Sequence, residues 1–92
     1  MTDILELPWQ ISSDAVANQV GDETVILHLG NGTYFGLDTI GTSLWDGLKS
    51  GKTPSEICEQ ITEEYDVDRA TVEADMREFL GELAKNDLVT KQ

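Results

Sequence analysis

The chain has 92 residues, 39% hydrophobic and 26% charged, and its eighteen acids against six bases give a formal net charge of −12. At this length one core is available, burying roughly 60–65% of the surface the unfolded chain exposes. The composition excludes a chain disordered throughout, no apolar run approaches the ~20 residues of a membrane span, and the acidic balance opposes nucleic acid, whose affinity rests on Lys and Arg displacing counterions.

The amino terminus, MTDILELP, lacks the basic start of a signal peptide, which makes the cytoplasm the expected location. Residues 1–12 read as a flexible arm with Trp9 and Ile11 as candidate anchors, followed by one domain over residues 13–92. Residues 15–20 form a weak strand whose Asn18 and Gln19 suggest a solvent face. Gly21, Asp22 and Glu23 make a turn into a second strand over residues 24–29, where Thr24, Ile26 and His28 share the face opposite Val25, Leu27 and Leu29. Gly30-Asn31-Gly32 supplies the positive φ angles of a tight hairpin. The β-branched, aromatic and bulky side chains of residues 33–37 then suit a third strand. Three antiparallel strands in a meander are too few to stand alone and require helices over one face.

At Asp38 and Thr39, both good N-caps, the strand pattern passes directly into a helix over residues 39–49. Ile40, Leu44, Trp45 and Leu48 recur there at helical spacing, which places Trp45 in the core. Gly51 suits the left-handed position that ends this helix. Thr53-Pro54-Ser55-Glu56 combines a cap, a proline at the first helical position and a capping-box glutamate, starting a second helix with Ile57 and Ile61 inward that ends near Glu64. A third runs over residues 69–85, with Val72, Met76, Phe79, Leu80 and Leu83 on one face. Leu88 and Val89 close the chain as a short strand or an apolar plug. The fold class expected is α+β, a winged helix-turn-helix with a three-stranded antiparallel sheet followed by three helices.

The residues with chemical potential are few. Cys58, the one cysteine, follows Ile57 on an apolar helix side and is expected to be buried and inert. A nucleophile and base made of Cys58 and the one histidine, His28, is the catalytic alternative. There are too few soft ligands for zinc, and Glu63 and Glu64, adjacent on a helix, do not converge on a substrate and are assigned to solvent. Between Glu56 and Glu82 stand ten acids and two bases. A recognition helix needs a basic footprint, so this domain has the shape of a DNA reader without the charge.

The stretch YFGLDTIGTSLWDGLKSGKTPSEICEQI from Tyr34 to Ile61, the acidic helix after it and the closing LVTK resemble the PqqD-like proteins. These are the recognition elements that bind leader peptides in the biosynthesis of ribosomally made, post-translationally modified peptides. The resemblance spans residues 15–91 and is closest to the stand-alone recognition proteins of lasso-peptide clusters, with the pyrroloquinoline quinone factor PqqD as the nearby alternative. It implies a leader bound as a fourth strand, antiparallel to the third and alongside the third helix. The residues permit this independently, because a meander leaves its third strand, Thr33, Tyr34, Phe35, Gly36 and Leu37, with an open edge. Gly36 either admits another backbone or relieves crowding at a bend. In the groove beside that edge, Met76, Phe79 and Leu83 are expected to receive apolar leader side chains, and Asp75 and Glu82 to meet leader Lys or Arg.

The implied partners are the precursor's leader and the maturation enzymes: a leader protease and a cyclase if the lasso resemblance holds, a radical SAM enzyme if the PqqD one does. The implied role is non-catalytic, with no cofactor, no metal, no nucleic acid and no membrane. The alternatives are an acidic winged-helix regulatory or DNA-binding protein and a small hydrolase or transferase using Cys58 and His28.

Overall fold

In a computed structural model that describes residues 3–91, the first element is a 3₁₀ turn at Ile4–Glu6, capped by Asp3, whose carboxylate accepts from the Leu5 amide at 3.1 Å. Strand β1 (Trp9–Ile11) follows. It pairs antiparallel with the last strand of the chain, β5 (Val89–Lys91), Trp9 opposite Lys91 and Ile11 opposite Val89. Leu5 and Trp9 are buried in the common core, the Trp9 indole Nε1 donates to the Ile4 carbonyl at 3.0 Å, and Arg77 donates to Asp3 in an ion pair. The expectation of a flexible arm over residues 1–12 is therefore corrected for residues 3–12, which are packed. Its first two residues, Met1 and Thr2, lie outside the described residues. Sequence pattern missed this packing because the strand is only three residues long and its partner lies at the far end of the chain.

The meander forms as β2 (Ala15–Val20), β3 (Glu23–His28) and β4 (Tyr34–Leu37), in the order β2-β3-β4. Gly21 and Gly32 take positive φ of 63° and 74° in the two connections, a conformation glycine adopts without a Cβ penalty. Alternation puts Thr24, Ile26 and His28 inward and buried, as the pattern of residues 24–29 requires. His28 shapes the second connection: its Nδ1 accepts the amides of Gly30 at 3.0 Å and Asn31 at 3.2 Å. A Cβ on Gly30 would lie 2.9 Å from the ring's Cε1, so the close fit depends on glycine there.

Three helices follow: the first packs on the inner face at β3 and β4, and the other two pack against it and against each other. Helix α1 (Thr39–Lys49) is capped by Asp38, which accepts from the Gly41 amide at 2.9 Å. Helix α2 (Pro54–Glu64) opens on the complete capping box: the Glu56 amide donates to Thr53 Oγ1 and the Thr53 amide to Glu56 Oε1. The Thr53 amide and hydroxyl hold the Glu56 carboxyl below its ordinary pKa. Helix α3 (Arg69–Lys85) buries Val72, Met76, Leu80 and Leu83. It ends with Asp87 at φ 59° and the Leu88 amide donating back to the Leu83 carbonyl at 2.9 Å, a Schellman-type closure. Trp45, Leu44, Ile57, Ile61 and Leu88 complete one continuous core with Ile26 and Leu37 of the sheet.

Candidate peptide-binding groove

The hydrogen-bond phase of β4 decides which groups its open edge presents. The His28 amide donates to the Thr33 carbonyl at 2.9 Å, and pairing then alternates along the ladder. Phe35, opposite Ile26, and Leu37, opposite Thr24, direct their N–H and C=O to β3. Tyr34 and Gly36 direct theirs outward. The edge thus offers two donors and two acceptors to an incoming strand. Gly36 is not among the glycines with positive φ, and a Cβ placed on it would meet nothing within 4 Å. Neither a turn nor crowding inside the chain calls for glycine at that position.

Between this edge and α3 lies a groove of about 400 Å³. Phe35 and Phe79, both half-buried against the core, form its apolar floor. Gly36 forms the strand wall, and Asp38, Asp75, Glu78 and Glu82 form the rim. The position of Phe79 is set from below by Gly41: a Cβ there would stand 3.1 Å from the Leu37 Cβ and 3.2 Å from the Phe79 Cζ. The start of α1 therefore runs close against the ring, and a side chain there would require Leu37 or Phe79 to give by a few tenths of an ångström.

Among the described residues no ion pair neutralises the rim. The two ion pairs among the described residues are elsewhere: Arg69 with Glu73 at 2.9 Å and Arg77 with Asp3. Arg69 also reaches Ser55 Oγ at 3.3 Å. The arginines of α3 are thus engaged with neighbouring parts of the fold, and four carboxylates face the groove together. Exposed ion pairs contribute about 0.2–1 kcal/mol each, whereas burying an apolar or aromatic side chain contributes about 1.5–3 kcal/mol. For any ligand, contact with the floor would therefore outweigh a single ion pair at the rim.

Of the residues expected from sequence, the structure brings Phe35, Gly36, Asp75, Phe79 and Glu82 to one groove. Thr33 precedes β4 and has its carbonyl committed to His28. Tyr34 contributes backbone to the edge while its side chain, 72% exposed, stands on the outer face of the sheet. Leu37 is on the edge strand with its side chain in the core. Met76 and Leu83 are wholly buried, which corrects their reading as side-chain pockets. Turning 100° per residue, Met76, Leu80 and Leu83 follow the core line of α3, and Asp75, Glu78, Phe79 and Glu82 follow the neighbouring line. Two groove residues were missed. The spacing of Glu78 from Asp75 and Glu82 was visible in the sequence, while Asp38 was accounted for as a cap and its second exposure, to the groove, is a tertiary effect.

Cys58 and His28 are not joined by any hydrogen bond among the described residues. The thiol is buried on α2 and burial pushes its pKa up, away from the thiolate. The His28 Nδ1 is occupied by two turn amides. No group of His, Cys, Asp and Glu among the described residues is arranged to hold a metal ion, and none of the described helices is long and apolar enough to cross a membrane.

A three-stranded sheet followed by three helices, with an open strand edge beside a groove of apolar floor and acidic rim, defines a winged-helix-like domain. The chain belongs to the PqqD family: the family's sequence profile, described as coenzyme PQQ synthesis protein D (PqqD), matches residues 23–89. Among solved structures it is similar to TbiB1 in complex with the TbiA(beta) leader peptide, at 50% identity and a TM-score of 0.81, covering 87% of this chain and 93% of that one. It also has the fold of a lasso peptide synthetase B1 complexed with the leader peptide, at 22% identity and a TM-score of 0.80, covering 90% of this chain and 98% of that one. A comparison with curated proteins returns no match.

Proposed function

We propose that this protein is a leader-peptide recognition module for a ribosomally made precursor, of the lasso type, that captures the leader by strand addition at β4 and has no catalysis of its own. The observation that carries this reading is the conjunction of the outward-facing Tyr34 and Gly36 backbone with the groove of Phe35 and Phe79. Half-identity to a chain solved with a leader peptide supports it. The leader lies antiparallel to β4, its main chain bonded to Tyr34 and Gly36. Alternate side chains of a strand face opposite ways, so every second leader residue enters the groove and the others extend the outer face.

The energetics require both parts of the site. A few main-chain hydrogen bonds at about 0.5–1.5 kcal/mol each do not offset the ordering of a flexible leader at about 1–2 kcal/mol per residue. Apolar leader side chains on Phe35 and Phe79 supply the difference, and a leader Lys or Arg beside Asp75, Glu78 and Glu82 sets the preference. Once held, the precursor is presented at raised local concentration to a leader protease and a cyclase in the cytoplasm. A role with a radical SAM enzyme, as the PqqD name suggests, fits the family but is less favoured by the 50% likeness to TbiB1. DNA binding is disfavoured by the acidic rim and by the net charge of −12.

The test is a backbone amide NMR titration with the TbiA(beta) leader and with the leader of any precursor encoded beside this chain, run against a duplex DNA control. Shifts at Tyr34, Gly36 and along Asp75 to Glu82 are expected, and lost in Gly36→Pro, whose ring removes an amide that faces the open edge rather than β3. Shifts with DNA alone, or leader binding undiminished in Gly36→Pro, would sink the reading.

A further inference from the structure

The same sheet has a second open edge, longer than the first. Strand β2 ends the order β2-β3-β4 on the side away from the groove, and its residues from Val16 to Val20 are all exposed. The Leu29 amide donates to the Asp14 carbonyl at 2.9 Å, which sets the phase of this ladder as well. Val16, Asn18 and Val20 bond to β3, while Ala17 and Gln19 turn both N–H and C=O to the open side. The Ala15 amide is already held by the Ser12 carbonyl at 3.1 Å.

Exposed edges are commonly blunted by a charge, a proline, a bulge or a covering loop. Strand β2, Ala-Val-Ala-Asn-Gln-Val, has no charge and no proline, and its six residues keep an unbroken register with β3. Charge begins where the strand stops: Asp14 stands before it, Asp22 and Glu23 after it. Val16, 49% exposed, and Val20, 63% exposed, stand on its outer face as apolar contacts for a neighbouring strand.

We infer that β2 is a second strand-addition site, separate from the leader groove, which takes an extended segment of a partner protein with a neutral centre and Lys or Arg at each end. The end charges choose this occupant over a second copy of the chain. Symmetric pairing that sets Val16 against Val20 of a second copy brings Asp14 opposite Asp22, and like charges facing across strands oppose pairing. The net charge of −12 on each copy adds to that repulsion. It also differs from the leader site on its inner side, where β2 borders a small cleft of about 90 Å³ shared by Gln19, Trp45, Asp46 and Lys49. Being opposite edges of one sheet, the two sites can be filled together, so the domain can hold a leader and a partner protein at once.

The experiment uses the full chain at low salt and the synthetic peptide Lys-Lys-Val-Thr-Val-Thr-Val-Lys-Lys, with a Glu-ended version as control, followed by amide NMR. Expected are shifts at Ala17 and Gln19 but not at Gly36, and binding at least tenfold weaker for the Glu-ended peptide. Ala17→Pro should lower affinity for the basic peptide at least tenfold while leaving the TbiA(beta) leader titration unchanged, since its ring removes only an outward-facing amide and the β2–β3 ladder stays whole. As a second variant, Asp14→Lys with Asp22→Lys should reverse the preference between the two peptides. Silence, shifts confined to β4 and α3, or unaltered binding in Ala17→Pro would overturn the inference. So would concentration-dependent self-association lost in Ala17→Pro, which would assign the edge to a second copy. Leader binding that fails while β2 binding persists would instead remove the leader reading and leave this one standing.

Discussion

Met76 and Phe79 lie three residues apart on one helix, yet the first is wholly buried and the second is the half-buried floor of a groove. The core line of α3, Val72, Met76, Leu80 and Leu83, is buried where the helix packs on α1, α2 and β5. The neighbouring line, Asp75, Glu78, Phe79 and Glu82, overhangs the open edge of β4. An amphipathic helix wider in its apolar stripe than the sheet beneath it can cover leaves one margin exposed. Here that margin, rimmed by acids, is the candidate site.

The sharpest way to separate the two lines is to truncate one member of each. Leu80→Ala should cost about 2–5 kcal/mol of stability by urea denaturation, the usual range for a buried leucine, while the protein that remains folded binds leader with unchanged affinity. Phe79→Ala should do the reverse, weakening leader binding by about 1.5–3 kcal/mol, or roughly ten- to a hundredfold, in calorimetric titration. If the Phe79 change altered stability as much as the Leu80 change and left affinity alone, the division of α3 would be wrong.

The rim effects are smaller. Asp75→Lys or Glu82→Lys should each weaken a basic leader about two- to fivefold, in line with exposed pairs of about 0.2–1 kcal/mol. Added salt should narrow the gap between wild type and variant.

The smallest effect concerns the back of the same helix, where Arg77 clamps the amino-terminal segment. The Leu5 amide and then Arg77 hold the Asp3 carboxyl below its ordinary value. A depressed folded-state pKa contributes stability that is present above the ordinary Asp range and disappears as the pH falls through the folded value. Melting curves of wild type and Arg77→Ala should therefore differ slightly near neutral pH and converge in acid. A difference that grew on acidification would show the pair to be irrelevant to how the segment is held.

Much of the architecture was legible without coordinates because its signals are local. The Thr53 to Glu56 capping box, Asp38 ahead of α1 and Gly51 at its end act within one helical turn. The helix bounds read from the sequence, residues 39–49 and 69–85, are those of the structure. The alternation of Thr24, Ile26 and His28 was equally readable, since a strand's two faces differ by one residue. The packing of residues 3–12 was not legible, because β1 finds its partner in β5 at the other end of the chain.

The site divides along the same line. By itself the sequence determined that an acidic, aromatic-bearing helix would follow a meander with an open edge, because charge, hydrophobic period and turn chemistry are properties of neighbouring residues. Only the tertiary structure decided that Met76 and Leu83 belong to the core and Phe79 to the groove, that Asp38 and Glu78 join the rim, and that Tyr34 and Gly36 rather than Thr33 and Phe35 present the open backbone. Those outcomes depend on the rotation of α3 against the sheet and on the hydrogen-bond phase of β4. Both are set by contacts between residues far apart in the chain, to which a period of 3.6 or of 2 is blind.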